Sequence, residues 1–93
     1  MLTSESQFET AKASQYLQQL CKHFAHKVEA SCDAHSGKVA FPCGTATFAA
    51  SDDVLVMTVV AEDQAGLEQS KEIIESHLIR FAFRDKLERL DWS

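Results

Sequence analysis

A change of hydrophobic period at Val28 constrains this chain more than any other feature. Ala13, Tyr16, Leu17, Leu20, Phe24 and Val28 recur at steps of three and four, so they line one stripe of a helix over about residues 11–27. Lys12, Gln15, Gln18, Lys22 and His26 fall on the other side. From Val28 the step becomes two. Val28, Ala30, Cys32 and Ala34 alternate with Glu29, Ser31, Asp33 and His35, as in a strand with one buried face. A one-sided helix followed by a one-sided strand must bury the two apolar surfaces against each other.

Three turn signals divide the middle of the chain: Ser36-Gly37, Pro42-Cys43-Gly44 and Ser51-Asp52-Asp53. Between them Val39 and Phe41 alternate, then Ala46, Phe48 and Ala50. Val54 to Ala61 is β-branched and nearly all apolar, which predicts a strand covered on both faces or placed centrally. Connections this short make the four strands an antiparallel meander. Asp63 is the expected N-cap of a second helix, with Leu67, Ile74, Leu78 and Phe81 as its stripe and Ile73 and Ile79 widening it. Upstream, Glu5 to Glu9 is expected to form a short strand, and Thr10 to cap the first helix. Leu87, Leu90 and Trp92 make the tail too apolar to hang free, so it should pack back as a short strand or cap.

The predicted order is β-α-β-β-β-β-α within a single α+β domain over residues 1–93. Both helices should lie on one face of a mainly antiparallel sheet, a two-layer sandwich. That order resembles the TATA-box-binding-protein-like topology, a likeness that implies no function.

Composition narrows the function classes. With hydrophobic residues at 45% and charged residues at 25%, the chain is neither disordered nor, with 3 Gly and 1 Pro, collagen-like. No stretch reaches the roughly 18 apolar residues of a membrane span. A net charge of −5 disfavours nucleic acid and anionic membrane surfaces, so neither is an expected partner. Lys12, Lys22, Lys27 and Lys38 make one segment mildly basic, whereas Asp52 to Glu75 is acidic; both read first as solvated faces. The opening residues Met1 to Glu5 carry no basic or apolar leader pattern. Three cysteines, Cys21, Cys32 and Cys43, then read as reduced thiols in a cytoplasmic setting rather than as a disulfide framework.

Residues 21–43 hold the densest set of possible metal ligands: Cys21, His23, His26, Cys32, His35 and Cys43. Cys21 and His23 are two apart on a helix and point away from each other. His23 and His26, three apart, can share a ligand, but the spacing of a zincin or a paired-cysteine zinc site is missing. No metal and no cofactor is therefore expected, and a metal-binding protein using helix-borne histidines stands as the alternative.

His23 and His77 lie at the edges of the two helical stripes and would meet at a seam if those edges face each other. The simpler reading makes each a half-buried border residue with one satisfied nitrogen, leaving His26 and His35 exposed. Arg80 and Arg84, four apart on one helical face, offer an anion site or surface pairs with Glu88 and Asp91, and the pairing is the expectation. Phe81 is expected to join the core and Phe83 to contact the tail. There is no phosphate loop, nucleophile elbow or Cys-x-x-Cys pair, so no catalytic residue is assigned. The candidate ligand-binding residues are His23, His26, Lys27, His77 and Arg84, for an unknown small molecule or protein partner.

Two segments carry a resemblance that spans essentially the whole chain. Lys22-His23-Phe24-Ala25-His26-Lys27 and Phe81-Ala82-Phe83-Arg84, with Trp92 near the end, resemble a family of short bacterial proteins classed as a domain of unknown function. Similar domains occur beside, or fused to, siderophore-interacting flavoproteins. The resemblance implies a non-enzymatic accessory role, linked in some relatives to iron handling, and brings no catalytic residue or cofactor with it.

Overall fold

The computed structural model describes residues 1–93. Its elements run β1 (Leu2–Glu9), α1 (Ala13–Ala25), β2 (Glu29–Cys32), β3 (Ser36–Phe41), β4 (Gly44–Ala50), β5 (Val54–Ala61) and α2 (Gln64–Phe81), then a 3-10 turn at Phe83–Asp85. The five strands form one antiparallel sheet in the order β1-β5-β4-β3-β2. The expected meander β2 to β5 is present, and β1 adds to its β5 edge. Both helices pack on the same face, the fold class the periodicity predicts.

The buried face alternates as a one-sided sheet requires. Leu55, Met57, Val59 and Ala61 of β5 are buried with Ala46 and Phe48 of β4 and Val39 of β3. Above them lie Ala13, Tyr16, Leu17, Leu20, Cys21 and Phe24 of α1, and Leu67, Ile74 and Leu78 of α2. Val54, Val56, Thr58 and Val60 point the other way and are only half-buried. So β5 is central, between β1 and β4, but its second face is not covered by a helix. Its β-branched residues instead meet cross-strand neighbours, Thr58 opposite Thr47 and Val56 opposite Ala49.

Several local expectations shift. β1 starts at Leu2 rather than Glu5, because the residues it turns to the core are Ser4 and Ser6, both buried, and polar residues hide the alternation. α1 is shorter than residues 11–27, and Thr10 is not its N-cap: that position falls to Lys12, which makes no side-chain cap bond. The Thr10 hydroxyl accepts from the Lys12 amide at 3.1 Å, ahead of the regular helix that begins at Ala13. Asp63 caps α2 as expected, its carboxylate accepting from the Gly66 amide at 2.7 Å.

The β2–β3 turn is formed by Asp33, Ala34 and His35, not Ser36-Gly37. Oδ1 of Asp33 accepts from the amides of His35 and Ser36, both at 2.8 Å, and these bonds hold its carboxyl below the usual range. Ser36 and Gly37 then begin β3. Cys32 and Ala34, expected on a buried face, are exposed, since one ends a four-residue edge strand and the other lies in the turn.

The tail packs back without forming a strand. Oε1 of Glu75 accepts from the Leu90 amide at 3.3 Å and the Trp92 indole at 3.1 Å, which docks the tail on α2. The Ser93 amide donates to the Glu5 carbonyl at 2.9 Å, and the Ser4 hydroxyl donates to the Ser93 carbonyl. The last residue thus covers part of β1's free edge. No helix is long and apolar enough to cross a membrane.

Candidate functional site

The C-terminal half of α1 runs beside the C-terminal half of α2, and the stripe edges face each other. His23 and His77 meet there, their ring centres 4.7 Å apart and tilted by 49°. Both are half-buried, whereas His26 and His35 are exposed. The pair rests on aromatic rings. His23 meets Phe24 edge-on at 5.4 Å and Phe81 at 5.8 Å, His77 meets Phe24 at 5.0 Å, and Phe24 packs on Phe41 at 5.0 Å. Edge-to-face contact of this kind is the favoured geometry for aromatic pairs.

Nδ1 of His77 donates to the Ile73 carbonyl one turn back, at 2.7 Å. A carbonyl only accepts, so this bond sets the tautomer and leaves Nε2 as the nitrogen open to a proton or a donor. His23 titrates below its ordinary value: burial comes first, then the positive charge available on His77, Lys27, Arg80 and His26. All the charged groups that act on it are basic. The seam is therefore an electropositive strip with an aromatic floor on a protein that is acidic overall.

Among the candidates read from the sequence, the structure gathers His23, His26, Lys27 and His77 at this seam. Arg84 is not with them. α2 stops at Phe81 and the chain tightens into the 3-10 turn, so Arg84 is no longer one helical turn above Arg80 on the same face. Its guanidinium carbon lies 5.7 Å from the centre of the Phe83 ring instead. Phe83, expected against the tail, is an exposed large apolar side chain at 67%. The expected pairing of Arg80 and Arg84 with Glu88 and Asp91 is not formed; the ion pairs are Lys71 with Glu68 at 2.9 Å and Arg89 with Asp91 at 3.8 Å. Arg80 is the residue that sequence reasoning missed at the seam, although its position one turn from His77 was available as a signal.

No cavity opens between the two histidines. The depressions lie elsewhere, along the polar face of α1 from Ala11 to Lys22, and in a cleft of about 550 Å³ near the start of α2 that includes Pro42, Cys43, Glu62 and Asp63. No three His, Cys, Asp or Glu side chains converge to hold a metal ion, so His23 and His77 form at most a two-nitrogen site. What the seam can do chemically is meet an anionic, partly apolar surface.

Comparison with known proteins agrees with this picture at the level of fold and family. The chain is similar to PA4090 of Pseudomonas aeruginosa, whose structure was solved by NMR. The two share 29% identity with a TM-score of 0.84, over 100% of this chain and 96% of that one. No curated protein matches the chain. A family model described as an uncharacterized protein conserved in bacteria matches residues 5–93, and the chain belongs to that family, DUF2218.

Proposed function

We propose that this protein is a non-enzymatic accessory module that docks on the acidic face of a partner protein through the α1–α2 seam. The observation that carries the reading is the His23–His77 contact at 4.7 Å, set on phenylalanine rings, with only basic groups acting on His23 and no cavity at the seam. A small-molecule site is normally concave. A strip of half-buried His23, His77 and Phe81 edged by exposed His26, Lys27 and Arg80 suits a protein interface, where partly exposed rings supply area and charge supplies steering. The resemblance to domains found beside siderophore-interacting flavoproteins supports such a flavoprotein as the partner, and iron handling as the process served.

Calorimetric titration of a siderophore-interacting flavoprotein into this protein tests the reading. Binding should weaken at least tenfold in the Lys27→Glu/Arg80→Glu variant and should fall as salt rises. Binding that is indifferent to both changes would place the contact on another surface.

A second reading is a metal-binding protein using His23 with His26 or His77. The ring separation of 4.7 Å favours it. Zinc titration of protein made without a His-tag distinguishes the two: stoichiometric uptake lost in His23→Ala/His26→Ala supports the metal.

A further inference from the structure

Cys21 and Cys32 reach the same point from two elements. Gly37 lies opposite Cys32 in the β2–β3 ladder. A β-carbon on Gly37 would stand 2.8 Å from Sγ of Cys21 and 3.0 Å from Cβ of Cys32. The absent side chain at residue 37 therefore makes room for the Cys21 sulfur, and Cys32 borders the same space. Sγ of Cys21 also lies 3.9 Å from the carbonyl of Ser31, the residue before Cys32. Cys21 is buried and Cys32 is exposed.

We propose that Cys21 and Cys32 are a redox pair, oxidised by hydroperoxides to a disulfide that clasps α1 to the edge strand β2. The exposed sulfur reacts first. The Cys32 thiol ionises, and its thiolate attacks the peroxide O–O bond and becomes a sulfenic acid. The other peroxide oxygen leaves as hydroxide or alkoxide, which takes up the proton Cys32 gave to solvent and becomes water or an alcohol. Cys21 then attacks the Cys32 sulfur. The S–S bond forms, the S–O bond breaks, and the departing hydroxide takes the Cys21 proton and leaves as water. Two electrons pass from the two sulfurs to one peroxide. Burial and then the neighbouring Cys32 push the Cys21 thiol up to about 12. The buried sulfur is thus protonated and protected until its partner is oxidised, which assigns Cys32 the peroxide-reacting role and Cys21 the resolving one.

The pair is separate from the seam, so the proposal does not depend on the docking reading. It is tested in the Cys43→Ser variant, which leaves only these two thiols. After treatment with hydrogen peroxide, the monomer should lose about 2 Da and take up no alkylating agent when unfolded. Proteolysis should yield one peptide pair joined through Cys21 and Cys32, separated again by dithiothreitol. Cys32→Ser/Cys43→Ser, altered only at exposed or half-buried positions, should keep Cys21 alkylatable after the same treatment. The proposal is overturned if Cys32 proceeds to sulfinic acid while Cys21 stays free, or if the product is a Cys32–Cys32 dimer.

Discussion

The imidazoles of His23 and His77 face each other across two helices at 4.7 Å, and both are half-buried. Two groups that each gain a positive charge on protonation thus share one poorly solvated place. His23 titrates low, chiefly through burial and then through the positive charge available on His77. A histidine whose pKa is lowered by folding adds stability that is present above its unfolded value near 6.5, and this contribution is lost as pH falls through the folded value. The protein should therefore lose stability on acidification below about pH 6.5, and His23→Gln should flatten that dependence. Urea midpoints measured at several pH values check it.

The same burial gives the histidines different mutational costs. Replacing His23 by Ala should destabilise the fold by roughly 1 kcal/mol, while replacing the exposed His35 should be close to neutral. Equal losses in urea titrations would mean that His23 does not pack at the seam.

Asp85 holds the start of α1 to the end of α2. Its Oδ2 accepts from the Tyr16 hydroxyl at 2.7 Å and from the Thr10 hydroxyl at 3.1 Å. The Tyr16 bond is the main cause that lowers the Asp85 pKa, while burial first and then Asp85 push the Tyr16 hydroxyl up to about 12. The chain has one tyrosine, so phenolate absorbance reports this site alone. In the native protein it should titrate about two units higher than in urea, where the reference value is about 10. Asp85→Asn should lower the native value. On the acid side, the stability that Asp85 contributes is present above its unfolded pKa and is lost as pH falls through the depressed folded one.

Two buried serines on β1 should respond in opposite ways. The Ser4 hydroxyl donates to the Ser93 carbonyl, whereas Oγ of Ser6 is buried with no partner. Ser4→Ala removes a satisfied bond and should cost about 1 kcal/mol. Ser6→Ala removes an unsatisfied one and should be neutral or stabilising. Thermal melts of the two variants decide between them.

Glu75 anchors the tail through a single oxygen. Glu75→Ala should release Trp92, the only tryptophan, so that its emission shifts to the red and acrylamide quenches it more strongly. The expected loss of stability is about 1 kcal/mol.

Both helices, the four-strand meander and the half-buried edge positions of His23 and His77 were legible because each rests on residue spacing. The helical stripes fix which edges point sideways; which of those edges face each other depended on the order of the helices on the sheet, and the structure brings His23 to His77. What spacing did not carry depended on contacts between distant residues. Ser4 fell outside the expected strand because a serine carries no apolar signal, and its inward position depends on the Ser93 carbonyl that its hydroxyl meets from the tail. Ser36-Gly37 has the composition of a turn, but Asp33 forms the turn with its own carboxylate, and Gly37 serves the close approach of Cys21. Arg84 looked like a helical neighbour of Arg80 because neither Gly nor Pro announces the end of α2 at Phe81.

The docking surface itself is tested most directly by recording amide NMR shifts of this protein at saturating siderophore-interacting flavoprotein. Docking through the seam predicts that the largest perturbations map to His23, His26, Lys27, His77 and Arg80, and that they vanish in the Lys27→Glu/Arg80→Glu variant. Perturbations centred instead on the open face of β5, at Val56, Thr58 and Val60, or on the outer face of α1, at Gln15 and Gln18, would contradict it.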